Sequence, residues 1–250
     1  MAENYRIRSL ILVGGRSSRM GSPKYLLNTP ISPETAVPLI EKIIMVHQIC
    51  QDYYRDMSRT TDVSTRDATQ SKELNRLLAN SMVDQTRVHY IVDRTPDAGP
   101  ASGLIRAHED DAAAHWLVSG CDYPLLEVQT LSVLIQNHLK GKKAITCFRN
   151  ADGWNEPLLA IWSPVALRRL HDLGRENPAV GPNRVIREFA SKQDTSDNTE
   201  QFRFGVMTIT PPTQSWLRNV NTREEWEAIQ PEIPDFFQSS KMERPSHSHH

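Results

Sequence analysis

Five residues near the N-terminus have the types and spacing to hold phosphate: Gly14, Gly15, Arg16, Arg19 and Lys24, within LILVGGRSSRMGSPKYLL. Adjacent glycines permit φ > 0 and a close main-chain approach, so successive N–H groups can point at one anion. The two arginines and the lysine supply positive charge. This spacing fits neither GxxxxGK[ST] nor GxGxxG, so the loop is a phosphate cradle of another kind. The alternative is an ordinary strand-to-helix turn with solvated arginines, and it requires the glycine pair, RMG and the lysine to coincide. Further along, Asp122 in AHWLVSGCDYP follows an apolar run, at the end where open α/β sheets bind ligands. It could instead cap the helix expected after it. Asp93 ends RVHYIVD, and Gly99, Pro100 and Gly103 form a GPxxG phrase behind it, which alone could be a plain turn. In WLRNVNTREEW, Asn219 and Asn221 alternate, so an extended backbone presents both on one side. Thr222 with Glu225 then forms a capping box.

These residues need elements to bring them together. Leu10, Ile11, Leu12 and Val13 suit a strand buried on both faces. Apolar residues at helical spacing place a helix over 38–56. The polar region 58–85 is the least informative, with a short strand over 62–64 and a helix over 71–81 burying Leu74, Leu77 and Leu78. Strands are expected over 87–93, within 114–124 with Asp122 at its C-terminal end, and over 144–148, 158–162 and 202–209, and helices over 101–111, 127–139, 165–173 and 184–191. Trp154 lies in the loop before the 158–162 strand, where it could pack on an edge or stack on a flat ligand. Alternating strands and helices predict an α/β fold, with a mostly parallel sheet covered on both faces as a three-layer α/β/α sandwich. The ligand cleft lies across the strands' C-terminal edge.

Composition narrows the function classes. A net charge of -1 gives no electrostatic footprint for nucleic acid or an anionic membrane. Three widely spaced cysteines, Cys50, Cys121 and Cys147, argue against a disulfide framework or a zinc knuckle and for a reducing compartment. The N-terminus lacks an apolar leader segment, and no run reaches the ~18 apolar residues of a membrane span, so a cytoplasmic protein is expected. One domain over 1–230 and a disordered tail over 231–250 follow, with the terminal HSHH not read as a metal site.

The pattern GGxSxRMGxxK resembles the signature of nucleotidyltransferases that load a nucleotide onto a phosphorylated acceptor, most of all the molybdenum cofactor guanylyltransferases (MobA-like). GPxxG, CDxP and NxNT follow in the family's order, and PLIEKI matches the phrase expected after the lysine. The longer spacer NTPISPETAV is a departure, expected as a flexible loop beside the nucleotide. Arg223 replaces the family's usual proline. The resemblance implies a Rossmann-like nucleotidyltransferase sheet. It implies nucleotide contacts from Leu12, Gly14, Gly15, Arg19, Lys24, Asp93, Gly99, Pro100, Gly103, Asp122, Asn219 and Asn221. Asp122 would hold Mg²⁺.

The expected reaction transfers GMP from GTP to a phosphorylated acceptor resembling molybdopterin, releasing pyrophosphate. Arg19, Lys24 and Asp122 are the catalytic residues. Displacement at phosphorus needs positioning and charge neutralisation more than proton transfer. A phosphate monoester, with a second pKa near ~6, is already largely deprotonated at neutral pH. The partners are then GTP, or CTP, and a small phosphorylated molecule, with no nucleic acid or membrane, and the protein is expected to be a monomer. Two alternatives remain: a cytidylyltransferase of the same superfamily, and a nucleotide-binding regulator without turnover.

Overall fold

A computed structural model describes residues 6–13, 20–94, 99–177, 179–191 and 203–239. The cradle residues Gly14, Gly15, Arg16 and Arg19 lie outside these. The chain opens with β1 (Ile7–Leu12), buried along its whole length. A hairpin of β2 (Asn28–Ser32) and β3 (Thr35–Pro38) leads into α1 (Leu39–Tyr53). Then come β4 (Met57–Thr65), α2 (Ala68–Leu77), β5 (Val88–Val92), α3 (Pro100–Asp110), β6 (His115–Gly120) and α4 (Val128–Gly141). The second half supplies β7 (Lys143–Arg149), β8 (Asn155–Trp162), α5 (Pro164–Glu176), α6 (Pro182–Ser191) and β9 (Arg203–Ile209). Two short helices, α7 (Arg223–Ile229) and α8 (Phe236–Ser239), finish the described chain.

Seven strands form one sheet in the order β5-β4-β1-β6-β8-β7-β9. β5, β4, β1 and β6 run parallel, β8 is antiparallel to both its neighbours, and β9 is parallel to β7. Side-chain alternation along β1 decides the layers. Ile7 and Ile11 join Ile40, Ile43 and Ile44 of α1 and Leu131 and Leu134 of α4. Leu10 and Leu12 join Leu104 of α3, Leu167 and Leu170 of α5 and Ile186 of α6. The result is the expected three-layer α/β/α arrangement. Leu12 pairs with both Ser64 and Gly120, so β1, β4 and β6 end together at one edge of the sheet.

Several polar groups inside this core are paired, although the second ring nitrogen of His47 and the Thr130 hydroxyl have no hydrogen-bond partner among the described residues. Arg8 donates to both oxygens of Asp62, at 3.1 and 2.7 Å, and lies 4.5 Å above the Trp116 ring. His47 shares a 2.8 Å hydrogen bond with Ser119 Oγ, and Gln51 donates to Ser9 Oγ and Thr61 Oγ1 at 3.0 Å. Such pairing removes the cost of about 1–3 kcal/mol that an unsatisfied buried group carries.

Several sequence expectations are corrected. The spacer expected as a flexible loop is the β2–β3 hairpin, with Ile31 fully buried. The short strand over 62–64 is the nine-residue β4, because tertiary pairing on both sides overrides a polar sequence. The helix over 71–81 starts earlier, where the Asp67 side chain accepts from the Gln70 N–H, and gives way at Leu78 to a 3-10 turn. Asn155, Glu156 and Pro157 belong to β8 rather than to a loop before it. A register shift between Cys147 and Arg149 leaves room for Pro157, which has no N–H to offer. Beyond residue 230, Phe236 is buried, so packing reaches into the stretch expected to be disordered. Residues 240–250 and the polar insert over 192–200 lie outside the described residues.

Candidate functional site

The site assembles at the C-terminal edge of β1, β4 and β6. The Cys121 N–H donates to the Leu12 carbonyl at 3.1 Å, and the Val13 N–H donates to the Ser64 carbonyl at 3.1 Å. Leu12 is thus held between both neighbouring strands as the chain enters the cradle. On the far side of the cradle, Met20 is buried and Gly21 has φ +70°. Glycine adopts that left-handed backbone without strain. The chain turns there and delivers Lys24 at the head of a 3-10 turn over Lys24–Leu26.

Three remote motifs meet at Lys24. Its ammonium donates to Asp122 Oδ2 at 3.2 Å and to Asn221 Oδ1 at 2.8 Å. The Asn221 amide donates in turn to Asn219 Oδ1 at 3.4 Å, as alternation on an extended segment requires. The Val220 N–H donates to the Asp122 carbonyl at 3.0 Å, tying the NxNT segment to the CDYP loop. Thr222 and Glu225 form the expected capping box, and Glu225 also accepts from the Asn221 N–H at 2.6 Å. Thus α7 fixes the asparagines from behind.

Further residues that the sequence reading did not assign hold Asp122. A Cβ on Gly120 would lie 2.5 Å from Asp122 Oδ1, so this glycine makes room for the carboxylate. Lys42 of α1 is almost fully buried and donates to the Pro124 carbonyl at 2.6 Å. Burial lowers its pKa to about 8, opposed by the Glu127 carboxylate. Tyr123 is buried, and its hydroxyl donates to Glu156 Oε2 at 3.4 Å. Burial raises the Glu156 carboxyl above its usual range, and Asp122 nearby adds to that rise. A lysine among the apolar residues of PLIEKIIMV was the available signal for Lys42. Gly120 and Glu156 gave none without the fold.

Asp93 and the GPxxG phrase form a second cluster at the same sheet edge. Asp93 follows β5, its N–H donating to the Thr65 carbonyl at 2.9 Å and its Oδ1 accepting from Ser64 Oγ at 2.8 Å. Burial raises its carboxyl, while hydrogen bonds from Ser64 and Ser102 and the charge of Arg106 act the other way. Gly99 has φ +79° and Pro100 occupies the first turn of α3. A Cβ on Gly103 would lie 2.6 Å from both Leu12 Cδ2 and Ser64 Oγ, so Gly103 allows α3 to sit against the strand ends. Residues 95–98, within the loop, lie outside the described residues.

The acceptors gathered at Lys24 are oxygens, Asp122 Oδ2 and Asn221 Oδ1, with Asn219 Oδ1 one hydrogen bond further on. This is the hard donor set that Mg²⁺ takes together with phosphate oxygens and water, and a cationic ammonium already lies between two of them. A different group, Asp62, His89 and Asp110, also brings ligand atoms within 4.8 Å of one another. Arg8 sits among its carboxylates, 2.7 Å from Asp62 and 3.0 Å from Asp110, which makes it an ion-pair cluster. Burial pushes the thiols of Cys50, Cys121 and Cys147 up to about 12, so none of them is a thiolate nucleophile at neutral pH. Among the described residues, no helix is long and apolar enough to cross a membrane.

Comparison with known proteins agrees with this geometry. A "Molybdenum cofactor biosynthesis bifunctional protein" of Synechocystis is 27% identical over 160 residues; the match covers 64% of this chain and 40% of that protein's length. A "Probable molybdenum cofactor guanylyltransferase" of Bacillus mycoides is 22% identical over 227 residues, covering 90% of this chain and 96% of that protein. Among solved structures, molybdopterin-guanine dinucleotide biosynthesis protein A of Archaeoglobus fulgidus superposes with a TM-score of 0.63 at 16% identity, covering 90% of this chain and 97% of its own. At that identity the likeness shows the shared fold. Residues 9–195 match the family described as "MobA-like NTP transferase domain". That match spans the cradle, GPxxG and CDxP, and the chain therefore belongs to the MobA-like NTP transferase family of nucleotidyltransferases.

Proposed function

We propose that this enzyme transfers GMP from GTP to the terminal phosphate of a small acceptor resembling molybdopterin, with pyrophosphate leaving, in molybdenum cofactor biosynthesis. The observation that carries this reading is the meeting of Lys24, Asp122 and Asn221 from three remote motifs. The relatives named for molybdenum cofactor guanylyl transfer support the choice of GTP and acceptor.

An oxygen of the acceptor phosphate attacks the α-phosphorus, and the bond from that phosphorus to the β-phosphate oxygen breaks. A new diphosphate linkage forms and pyrophosphate departs. The attacking phosphate is already largely ionised at neutral pH, so no side chain needs to remove a proton. Lys24, with Arg19 and the main chain of Gly14 and Gly15, balances the triphosphate charge. Asp122, Asn219 and Asn221 would hold Mg²⁺, which supplies further charge neutralisation at the phosphates when bound. Asp93 with the Gly99 to Gly103 loop reads the guanine edge, and Pro100 sets that loop's exit into α3. Lys42 and Gly120 keep the CDYP loop in place. The setting is the cytoplasm, with the protein acting as a monomer.

The test is pyrophosphate release from GTP, CTP, ATP and UTP with Mg²⁺ and a molybdopterin acceptor. Release is expected with GTP at the highest kcat/KM. A preference for CTP would transfer the reading to cytidylyl transfer. Binding without release for all four would make the protein a nucleotide-binding regulator.

A further inference from the structure

A cavity of about 290 Å³ opens between α3 and α5, away from the Lys24 and Asp122 cluster. Arg94, Arg106, Arg175 and His171 line it, with Glu109 as the single lining carboxylate. Three guanidiniums against one carboxylate leave an excess of two positive charges. Glu109 cannot satisfy them all. Arg94 Nε lies 2.9 Å from it, whereas Arg106 and His171 each remain 3.9 Å away. His171 is also 3.4 Å from Asp172 through its other ring nitrogen. Arg175 makes no ion pair among the described residues.

Ser102 adds one hydroxyl, and the rest of the wall is apolar. Ala101 and Val180 are buried, and Ile105 is partly buried. A Cβ on Gly174 would lie 2.8 Å from Ile105 Cδ1, so this glycine lets α5 approach α3 at the base of the cavity. Concave sites for small ligands start near ~300 Å³ and combine mostly apolar walls with a few convergent polar groups. Arginine forks suit phosphate oxygens, which they can bind in pairs.

We propose that the cavity between α3 and α5 is a second binding site, for a small phosphate monoester with a compact apolar body. At neutral pH such a monoester carries about -1.5 to -2 charges, which matches the local excess. The phosphate lies among Arg94, Arg106 and Arg175, and the apolar body lies against Ile105 and Val180. The site borders the Gly99 to Gly103 stretch through Ala101 and Ser102, and it shares no lining residue with the Lys24 and Asp122 cluster.

The experiment is calorimetric titration of the full chain with 1-naphthyl phosphate and, separately, with inorganic phosphate. The proteins compared are the wild type, Arg175→Glu, Arg175→Gln and Lys24→Ala. Arg175 is exposed, so neither substitution there removes packing, and the melting temperatures of all four proteins are compared as a control. One equivalent of 1-naphthyl phosphate is expected to bind the wild type and Lys24→Ala alike, more tightly than inorganic phosphate. Affinity should fall at least tenfold in Arg175→Glu and by less in Arg175→Gln. Absence of saturable binding, or equal binding in Arg175→Glu, would overturn the proposal. So would loss of binding in Lys24→Ala with Arg175→Glu unaffected, because the probe would then occupy the nucleotide cleft.

Discussion

Lys24 and Asp122 are 98 residues apart in the chain, yet the lysine ammonium lies 3.2 Å from the aspartate carboxylate. Both side chains are largely shielded, 17% and 22% exposed, and Asn221 accepts the same ammonium. A lysine so placed can balance the aspartate in the free enzyme and turn to phosphate when nucleotide arrives. Lys24→Ala should weaken GTP binding roughly tenfold to a hundredfold, the range for losing a charged hydrogen bond. The same change should cost about 1 kcal/mol or less in stability, because the pair is partly solvated. Nucleotide affinity and melting temperature together check it. Unchanged affinity would remove the lysine from the phosphate site.

Asp122→Asn keeps the side chain's size and its ability to accept from Lys24, and it removes the charge. If Asp122 holds Mg²⁺, kcat should drop roughly 10²- to 10³-fold, the usual cost of losing one electrostatic stabiliser. The Mg²⁺ concentration for half-maximal rate should rise. The N-cap of α4 is Glu127, so Asp122 does not cap that helix, and full activity across a Mg²⁺ titration rules out the metal role.

The base preference is expected to depend on Asp93. Guanine presents N–H donors at N1 and N2, whereas cytosine presents acceptors at N3 and O2 that a carboxylate repels. Wild-type protein should bind GTP over CTP, and Asp93→Ala should erase roughly tenfold to a hundredfold of that preference while leaving pyrophosphate affinity alone. Competition binding with the three ligands decides this. A wild-type preference for CTP would favour the cytidylyltransferase reading.

Legibility in the sequence followed the physics of each segment. The strand of Leu10, Ile11 and Leu12 could be read because burial on both faces leaves an unbroken apolar run. The capping box at Thr222 could be read because it is local. The alternation of Asn219 and Asn221 correctly put both on one side. In contrast, β4 is a central strand carrying Ser58, Thr60, Thr61 and Asp62, and its partners Gln51 and Arg8 come from elsewhere in the chain. No local pattern reports such satisfaction. The β2–β3 hairpin was hidden for a related reason, since three prolines and short side chains suggest a loop until Ile31 is seen to be buried. Lys42, Gly120 and Glu156 act on Asp122 only through the folded loop.

Lys42 supplies a test of that loop. It takes a buried ammonium to the Pro124 carbonyl, two residues past Asp122. Lys42→Met fills the same space without a donor. The variant should fold, and its kcat should fall several-fold with a raised Mg²⁺ requirement, because the CDYP loop loses its tether. GTP affinity measured without Mg²⁺ should stay close to wild type. Equal loss of affinity with and without Mg²⁺ would point to general disruption of the fold.

The last prediction concerns acid stability and rests on His47. Its ring is fully buried against Ser119, and burial lowers its pKa to about 3 from an ordinary 6.5. Below pH 6.5 the unfolded imidazole takes up a proton that the folded ring refuses. The unfolded state then binds more protons, so this group's contribution falls as pH drops from 6.5 toward 3. The slope for one such group is about 1.4 kcal/mol per pH unit. His115, also lowered to about 3 by burial, adds a second contribution of the same sign. The raised carboxyls of Asp62, Asp93 and Glu156 act in the opposite direction over lower pH, so the absolute profile mixes several groups. A difference between proteins isolates one of them. His47→Gln keeps a hydrogen-bonding group near Ser119 and removes the titration. At pH 7.5 the variant should be less stable than wild type, and by pH 5 that gap should narrow by about 2 kcal/mol. Urea unfolding of both proteins at the two pH values measures the gap, and a constant gap would mean that His47 takes up its proton within the folded state.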